Sequence, residues 1–479
     1  MPADVTTLRA PVVLPFFNIY TVSGILVWGF LWILVKLNLS FDNEPVNHVY
    51  SLLLIQALPV VLSFTRKHFT YLSFVMINHM VMLTIPKWFQ FMHYPGAPKL
   101  LPRAAEAMQE QAFCTVILIL VYYACRALVL NAVAEKEKYQ FLTLKRWQVV
   151  VLGAYVLIVP TMIFILPAWF LTIHFLLLSA DVVMLFTCVC PGSESLMRWI
   201  RVATFVEAFT YFLNTGMMTL MGALVSFFFL MSCMEKRYWR VLFIALGVFS
   251  MSAIQSVKGS YREVMKNSEV VLSTPERVGI LYELLVMKYF DPNVDFEDVE
   301  EDQVDLDKET SSGKLMAGFM RAGDDSMERV LEYTPERVPF WEGETYASIP
   351  YMFIPRALWP DKPTRHFWNK FGRTYGVLST EDYETSVGIS YLAEGYVNFG
   401  FHGMYIVAFL MGFLIAVCEK YAHVVLGGYF FFPFIILLTP LLAPATDMGS
   451  ILQSLWILSM FLFAARPVLL TMARRDDYA

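Results

Sequence analysis

The stretch that decides the fold is Ala393–Cys418, AEGYVNFGFHGMYIVAFLMGFLIAVC. Its only ionisable groups besides the tyrosines and the terminal cysteine are Glu394 and His402. About 20 apolar residues in helical form cross the roughly 30 Å hydrocarbon layer of a bilayer. The run therefore reads as a membrane-spanning helix with a carboxylate at its mouth. Comparable runs lie at 15–36, 48–64, 70–91, 112–131, 148–168, 171–190, 203–216, 217–233, 239–256, 427–445 and 450–467. The chain is 57% hydrophobic and 16% charged, whereas a soluble domain carries about 25% charged residues, so a soluble class is excluded. The expected fold class is all-α, a polytopic membrane protein with about 12 transmembrane helices. The first apolar run is too long for a cleavable signal peptide.

The stretch around Asn214–Gly216 could be one long tilted helix or two short ones. Charge asymmetry separates the options. With two helices, Arg66, Lys67, Lys136, Lys145, Arg146, Arg198, Arg201, Arg237, Lys420 and Arg474 share one side of the membrane, while the short loops opposite hold little beyond Lys99 and Arg103. That split places both termini in the cytoplasm. It divides the chain into transmembrane helices over 1–256, an extracytoplasmic loop over 257–392, and further transmembrane helices with a cytoplasmic tail over 393–479. The net charge of -5 mostly reflects one acidic stretch and offers nothing to nucleic acid. The six cysteines fall inside apolar runs, where neither disulfides nor a metal cluster is expected.

A loop of this length is far beyond what a mere connection needs. Its 291–309 segment, DPNVDFEDVEEDQVDLDKE, is acidic and poor in aromatics, which reads as a solvated linker. On its N-terminal side, Thr274 and Pro275 read as the cap and first position of a helix running through Val278–Phe290. The pentapeptide TPERV recurs at Thr334–Val338, too short a match to count as a repeat.

Beyond the linker, WEGETYASIPYMFIPRALWPDKPTRHFWNKFGRTYG, Trp341–Gly376, interleaves aromatics, prolines and cations. Pro355, Pro360 and Pro363 deny it continuous helix, and Trp341, Phe353, Trp359, Phe367 and Trp368 suit a bilayer interface. Arg356, Lys362, Arg365, Lys370 and Arg373 would then cluster at headgroup level, joined by Lys258 and Arg262. Guanidinium forks match phosphate oxygens bidentately. Snorkelling towards anionic lipid is the plainer explanation of any one of these cations; the proline-stiffened cluster favours a specific anion site. Glu394 is the leading candidate for a functional intramembrane carboxylate, and a salt bridge to a loop arginine is its structural alternative. Glycines 395, 400 and 403 permit close backbone approach. His79, His174, Asp181 and Glu207 are further ionisable groups within apolar runs. His174 and Asp181 share a helix face, where a proton pathway is conceivable and a hydrogen-bonded polar pair between helices is the plainer reading.

Ile354-Pro355-Arg356 with Trp359-Pro360-Asp361-Lys362-Pro363, followed by Glu394-Gly395-Tyr396-Val397-Asn398-Phe399-Gly400 leading into a helix, resembles the bacterial oligosaccharide repeat-unit polymerases, the Wzy-type O-antigen and exopolysaccharide polymerases. The likeness covers roughly 342–403, with a weaker echo at Lys258–Arg262. It implies a GT-C-like glycosyltransferase of the bacterial inner membrane that moves a growing glycan from undecaprenyl diphosphate to an incoming lipid-linked repeat unit at the outer leaflet. By that resemblance Arg262, Arg356, Lys362, Arg365 and Arg373 would bind the diphosphate. Glu394 would serve as base with His366 as its competitor, and Tyr346, Trp359 and Tyr391 would stack on sugars. It also implies membrane lipid and a chain-length-regulating co-polymerase as partners, with no cofactor and no metal.

Two other classes share the hydropathy. A lipid-linked oligosaccharide transporter or flippase would show two related halves with matching broken helices, and an O-antigen ligase would use the same donor with a different acceptor.

Overall fold

The computed structural model describes residues 26, 28–30, 44–66, 70–93, 103–130, 254, 257, 261, 264, 274–290, 325–354, 359, 367–383, 387–421, 446–456 and 459–460. The acidic linker, His174, Asp181, Glu207, the Asn214–Gly216 junction and the runs at 148–168, 171–190, 203–216, 217–233 and 427–445 lie outside these residues. Everything regular among the described residues is helical.

Three helices are long and apolar enough to cross a membrane, over Pro45–Ser63, Ala104–Arg126 and Tyr391–Tyr421. They belong to α1 (Glu44–Arg66), α4 (Ala104–Leu130) and α10 (Tyr391–Tyr421), at the places where apolar runs predict them. The run at 70–91 is helical from end to end but in three pieces: α2 (Tyr71–His79), a π-helical turn (Met80–Thr84) and α3 (Ile85–His93). Every residue of α2 is buried, as expected of a helix that is apolar around its whole circumference. It starts at Thr70, whose hydroxyl accepts the Ser73 N–H, an N-cap that satisfies one of the orphan donors of the first turn.

α10 packs along α4, and α4 along α1. The α10–α4 crossing is tight at Gly412, where a Cβ would lie 2.5 Å from the Leu118 carbonyl oxygen. Small residues at such crossings let two backbones close up where lipid supplies no hydrophobic drive. On the surface of the pair, Phe113, Leu120, Ile406, Phe409, Leu410, Phe413 and Val417 are exposed apolar groups.

The loop is structured on both sides of its linker. α5 (Thr274–Phe290) begins where the Thr-Pro signal places it and lays Leu281 and Leu284 against Val257 and Tyr261. After the linker come α6 (Ser326–Tyr333), α7 (Glu344–Ala347), α8 (Ile349–Met352) and α9 (Phe367–Thr374). Met327, Val330 and Leu331 of α6, Trp341, and Phe367 and Phe371 of α9 form one core with Phe91 of α3 and with Val46, Ala107, Met108, Ala393 and Met404 of the long helices. These loop segments thus build a cap on one end of the bundle. Trp341 and Phe367, expected at the bilayer interface, are buried inside that cap. The two TPERV copies fold differently: the first opens α5, the second is a turn after α6.

The two ends of the bundle are held by different polar clusters. At one, the Glu419 carboxylate is wholly buried: its Oε2 accepts the Tyr71 N–H at 3.1 Å and the Tyr122 hydroxyl, and Arg126 lies 3.2 Å from its Oε1. A carboxylate at the first N–H of α2 also meets the positive end of that helix. At the capped end, Lys87 of α3 is fully buried between Asp325 and Glu328, 2.6 Å from the latter. Arg103 there donates to the Leu331 carbonyl at 2.6 Å and pairs with Glu106.

Candidate functional site

α10 is not a single rod. Phe399 (φ -142°, ψ 20°) and Gly400 (φ 64°, ψ -153°) break it into limbs 391–398 and 401–421. The Gly400 conformation is essentially closed to residues with a Cβ. The limbs meet at two glycines: a Cβ on Gly395 would stand 2.9 Å from the Gly403 carbonyl oxygen. The second limb alone, over 401–421, meets the span requirement of about 20 residues. Glu394 therefore sits on a short buried limb before the membrane-length section, which eases the cost of carrying a carboxylate on an apolar helix.

The break frees backbone groups, and the 341–347 turn satisfies one of them, the Val397 carbonyl. Glu342 and Gly343 take left-handed conformations (φ 49° and 90°), which swing the chain across α10. The Trp341 N–H donates to the Val397 carbonyl at 2.9 Å, and the Gly343 N–H donates to Asn398 Oδ1 at 3.0 Å. Asn398 Nδ2 donates to Thr345 Oγ1 and to the Glu394 carbonyl, both at 2.8 Å. Tyr346 stacks on Phe399, with ring centroids 6.1 Å apart.

Glu394 and Asp447 converge beside this turn at the start of the helical stretch 448–456. Glu394 Oε2 accepts the Met448 N–H at 2.8 Å. Asp447 caps the same helix, Oδ1 accepting the Ser450 N–H at 3.0 Å, while its Oδ2 accepts the Trp368 indole N–H at 3.1 Å. Both acids are buried. Burial, with Glu394 and Asp447 nearby, pushes the Tyr346 hydroxyl far above its usual range, so it stays protonated. That hydroxyl has no hydrogen-bond partner among the described residues. The result is a constellation of two carboxylates, one phenol and one carboxamide, all buried or nearly so. Such a set can take up, hold or pass a proton.

The residues singled out in the sequence separate here. Glu394 and Tyr346 come together. Tyr391 is turned into the bundle, buried with its ring 6.2 Å from that of His79. Trp359 makes an edge contact with Tyr351, centroids 5.7 Å apart. Arg373 donates to Asn369 Oδ1 at 2.8 Å and lies over the Tyr383 ring. Lys370 pairs with Glu344 and covers Trp341. Arg262, Arg356, Lys362, Arg365 and His366 lie outside the described residues. Glu394 accepts the Met448 N–H; the loop arginines Arg262, Arg356 and Arg365, with which a salt bridge is its structural alternative, lie outside the described residues. Among those residues there is no group of His, Cys, Asp and Glu side chains able to hold a metal.

Asp447, Asn398 and Trp368 were not expected as site residues. Asp447 carried a usable signal, since Thr446-Asp447-Met448 falls between two apolar runs where an N-cap belongs. Lys87 also had one, being a lysine within an apolar run.

A sequence-family model described as a domain of unknown function (DUF8712) matches residues 324–442. The match begins one residue before Asp325, takes in the described part of the cap after the linker, and covers all of α10. It includes Tyr346, Trp368, Glu394 and Asn398 and stops short of Asp447. No curated protein and no solved structure matches the chain.

Proposed function

We propose that the chain is a lipid-linked glycan polymerase of the bacterial inner membrane, with Glu394 as its general base. The observation that carries this reading is the meeting of Glu394, Asp447 and Tyr346 at the broken start of α10, within the same part of the chain as the proline-stiffened cations of 355–365. In the proposed step, a hydroxyl of the incoming lipid-linked repeat attacks the anomeric carbon of the growing chain. The bond from that carbon to the diphosphate oxygen breaks, undecaprenyl diphosphate leaves, and the hydroxyl proton passes to Glu394. The leaving diphosphate needs positive groups where its charge develops, a role for Arg262, Arg356 and Lys362, with Arg365 and Arg373 in support and His366 as the competing base. Because Glu394 is enclosed, the acceptor reaches it when the 341–347 turn shifts off the α10 break. The remaining elements of the reading are about 12 spans, a GT-C-like arrangement and a cap facing the periplasm or cell exterior.

The test is incubation of the purified protein with lipid-linked repeat units and no nucleotide sugar. A ladder of longer products is expected, and it should vanish in Glu394→Gln and Arg356→Ala although both variants still fold in the membrane. An unchanged ladder in both variants would refute the site.

The broken α10 also favours a second reading, a lipid-linked oligosaccharide transporter, because discontinuous helices line substrate sites in such proteins. Movement of labelled lipid-linked oligosaccharide between vesicle leaflets, with no lengthening, would decide for it.

A further inference from the structure

One helical turn before Glu394, α1, α2, α4 and the residues that open α10 enclose a small chamber of about 20 Å³. Its polar lining is Gln56, His79, Gln111, Thr115, Ser390 and Tyr391. All six are buried. Such a volume exceeds the ~10–15 Å³ that one water molecule needs.

Most polar groups on its wall are served by the protein. Thr84 Oγ1 donates to Gln56 Oε1 at 2.8 Å, and Thr115 Oγ1 donates to the Gln111 backbone carbonyl at 2.7 Å. Ser390 Oγ accepts from Ser326 Oγ at 3.1 Å and from the Ala393 N–H at 3.2 Å. Gln111 Oε1 is the exception. It belongs to a residue only 3% exposed and has no hydrogen-bond partner among the described residues. A buried amide oxygen left this way carries an uncompensated desolvation penalty, so the fold favours a guest that donates to it. The backbone beside the chamber is also unusual: the π-helical turn Met80–Thr84 follows directly on His79 and carries both Leu83, on the chamber wall, and Thr84, which fixes Gln56. Single π turns within helices recur at functional sites.

We infer that the chamber is a built site for one water molecule, which donates to Gln111 Oε1 and lies against the His79 imidazole. A neutral guest fits the lining, since no carboxylate faces the chamber to balance a cation.

The experiment is a map of the full chain in nanodiscs at a resolution that shows ordered waters, for the wild type and for Gln111→Leu. The expected result is a single peak within hydrogen-bond distance of Gln111 Oε1 in the wild type and its loss in the variant. A wild-type chamber without density, in a map showing other internal waters, overturns the inference, and so does a peak that persists in Gln111→Leu. Should Gln111→Leu fail to fold, melting of the wild type in sodium, potassium, ammonium and choline chlorides remains decisive alongside its map. Equal midpoints support water, and a midpoint raised by one cation alone shows an ion in its place.

Discussion

Two buried acids at the capped end face opposite circumstances, and their chemistry differs accordingly. Asp447 has a hydrogen-bond donor on each oxygen, the Ser450 N–H and the Trp368 indole. Asp447→Asn replaces one acceptor oxygen by an NH2 group that clashes with whichever donor it meets, and a lost bond to a charged group costs roughly 1.5–3 kcal/mol. A lower melting midpoint in detergent, together with weaker lengthening in the assay of the proposed polymerase, is the expected outcome. Glu328 is instead buried beside Lys87, and burial raises its carboxyl from 4.5 to about 7, the lysine offsetting part of the effect. The folded protein then holds this proton more tightly than the unfolded chain does. The resulting stability is complete below about pH 4.5 and is lost as pH climbs through about 7. Melting midpoints between these limits should fall with rising pH, and Glu328→Gln should flatten that slope. An unaltered slope in the variant would assign it to other groups. Lys87→Met removes the cation that lies between Asp325 and Glu328 and should destabilise by about 3–5 kcal/mol, read as loss of folded protein on size exclusion.

Among the elements, α10 has the most demanding geometry. Gly400 occupies a backbone region with φ 64° and ψ -153°, and Gly400→Ala should cost on the order of 1–3 kcal/mol through strain alone. Gly403→Ala acts by collision, because its Cβ would run into the Gly395 carbonyl oxygen. Both variants should lower the melting midpoint, and both should disturb the 341–347 turn that bonds to Val397 and Asn398. An alanine at Gly279 of α5 meets nothing within 4 Å and serves as the control; it should leave the midpoint unchanged or slightly raised. Equal effects at all three glycines would mean that the break in α10 contributes nothing.

For the molecule as a whole, the asymmetry of loop charge predicts sidedness. Ser379 is exposed in the cap, and Lys420 is half-buried at the Glu419 end. In a background without native cysteines, Ser379→Cys should react with an impermeant maleimide on intact cells, and Lys420→Cys only after permeabilisation. The reverse pattern would put the cap in the cytoplasm and remove the proposed polymerase from its substrate. The sequence by itself determined the apolar spans at α1, α4 and α10 and the start of α5, because span length and helix capping are local properties of consecutive residues. It also marked Glu394 as an acid out of place on an apolar helix. Only the tertiary structure decided that Tyr346 and Asp447 stand beside it, that Trp341 and Phe367 pack into the core, and that Lys87 pairs with two acids more than two hundred residues away. Those outcomes depend on where the backbone breaks and which segments cross there, and a one-dimensional pattern of polarity holds no record of contacts between distant parts of the chain.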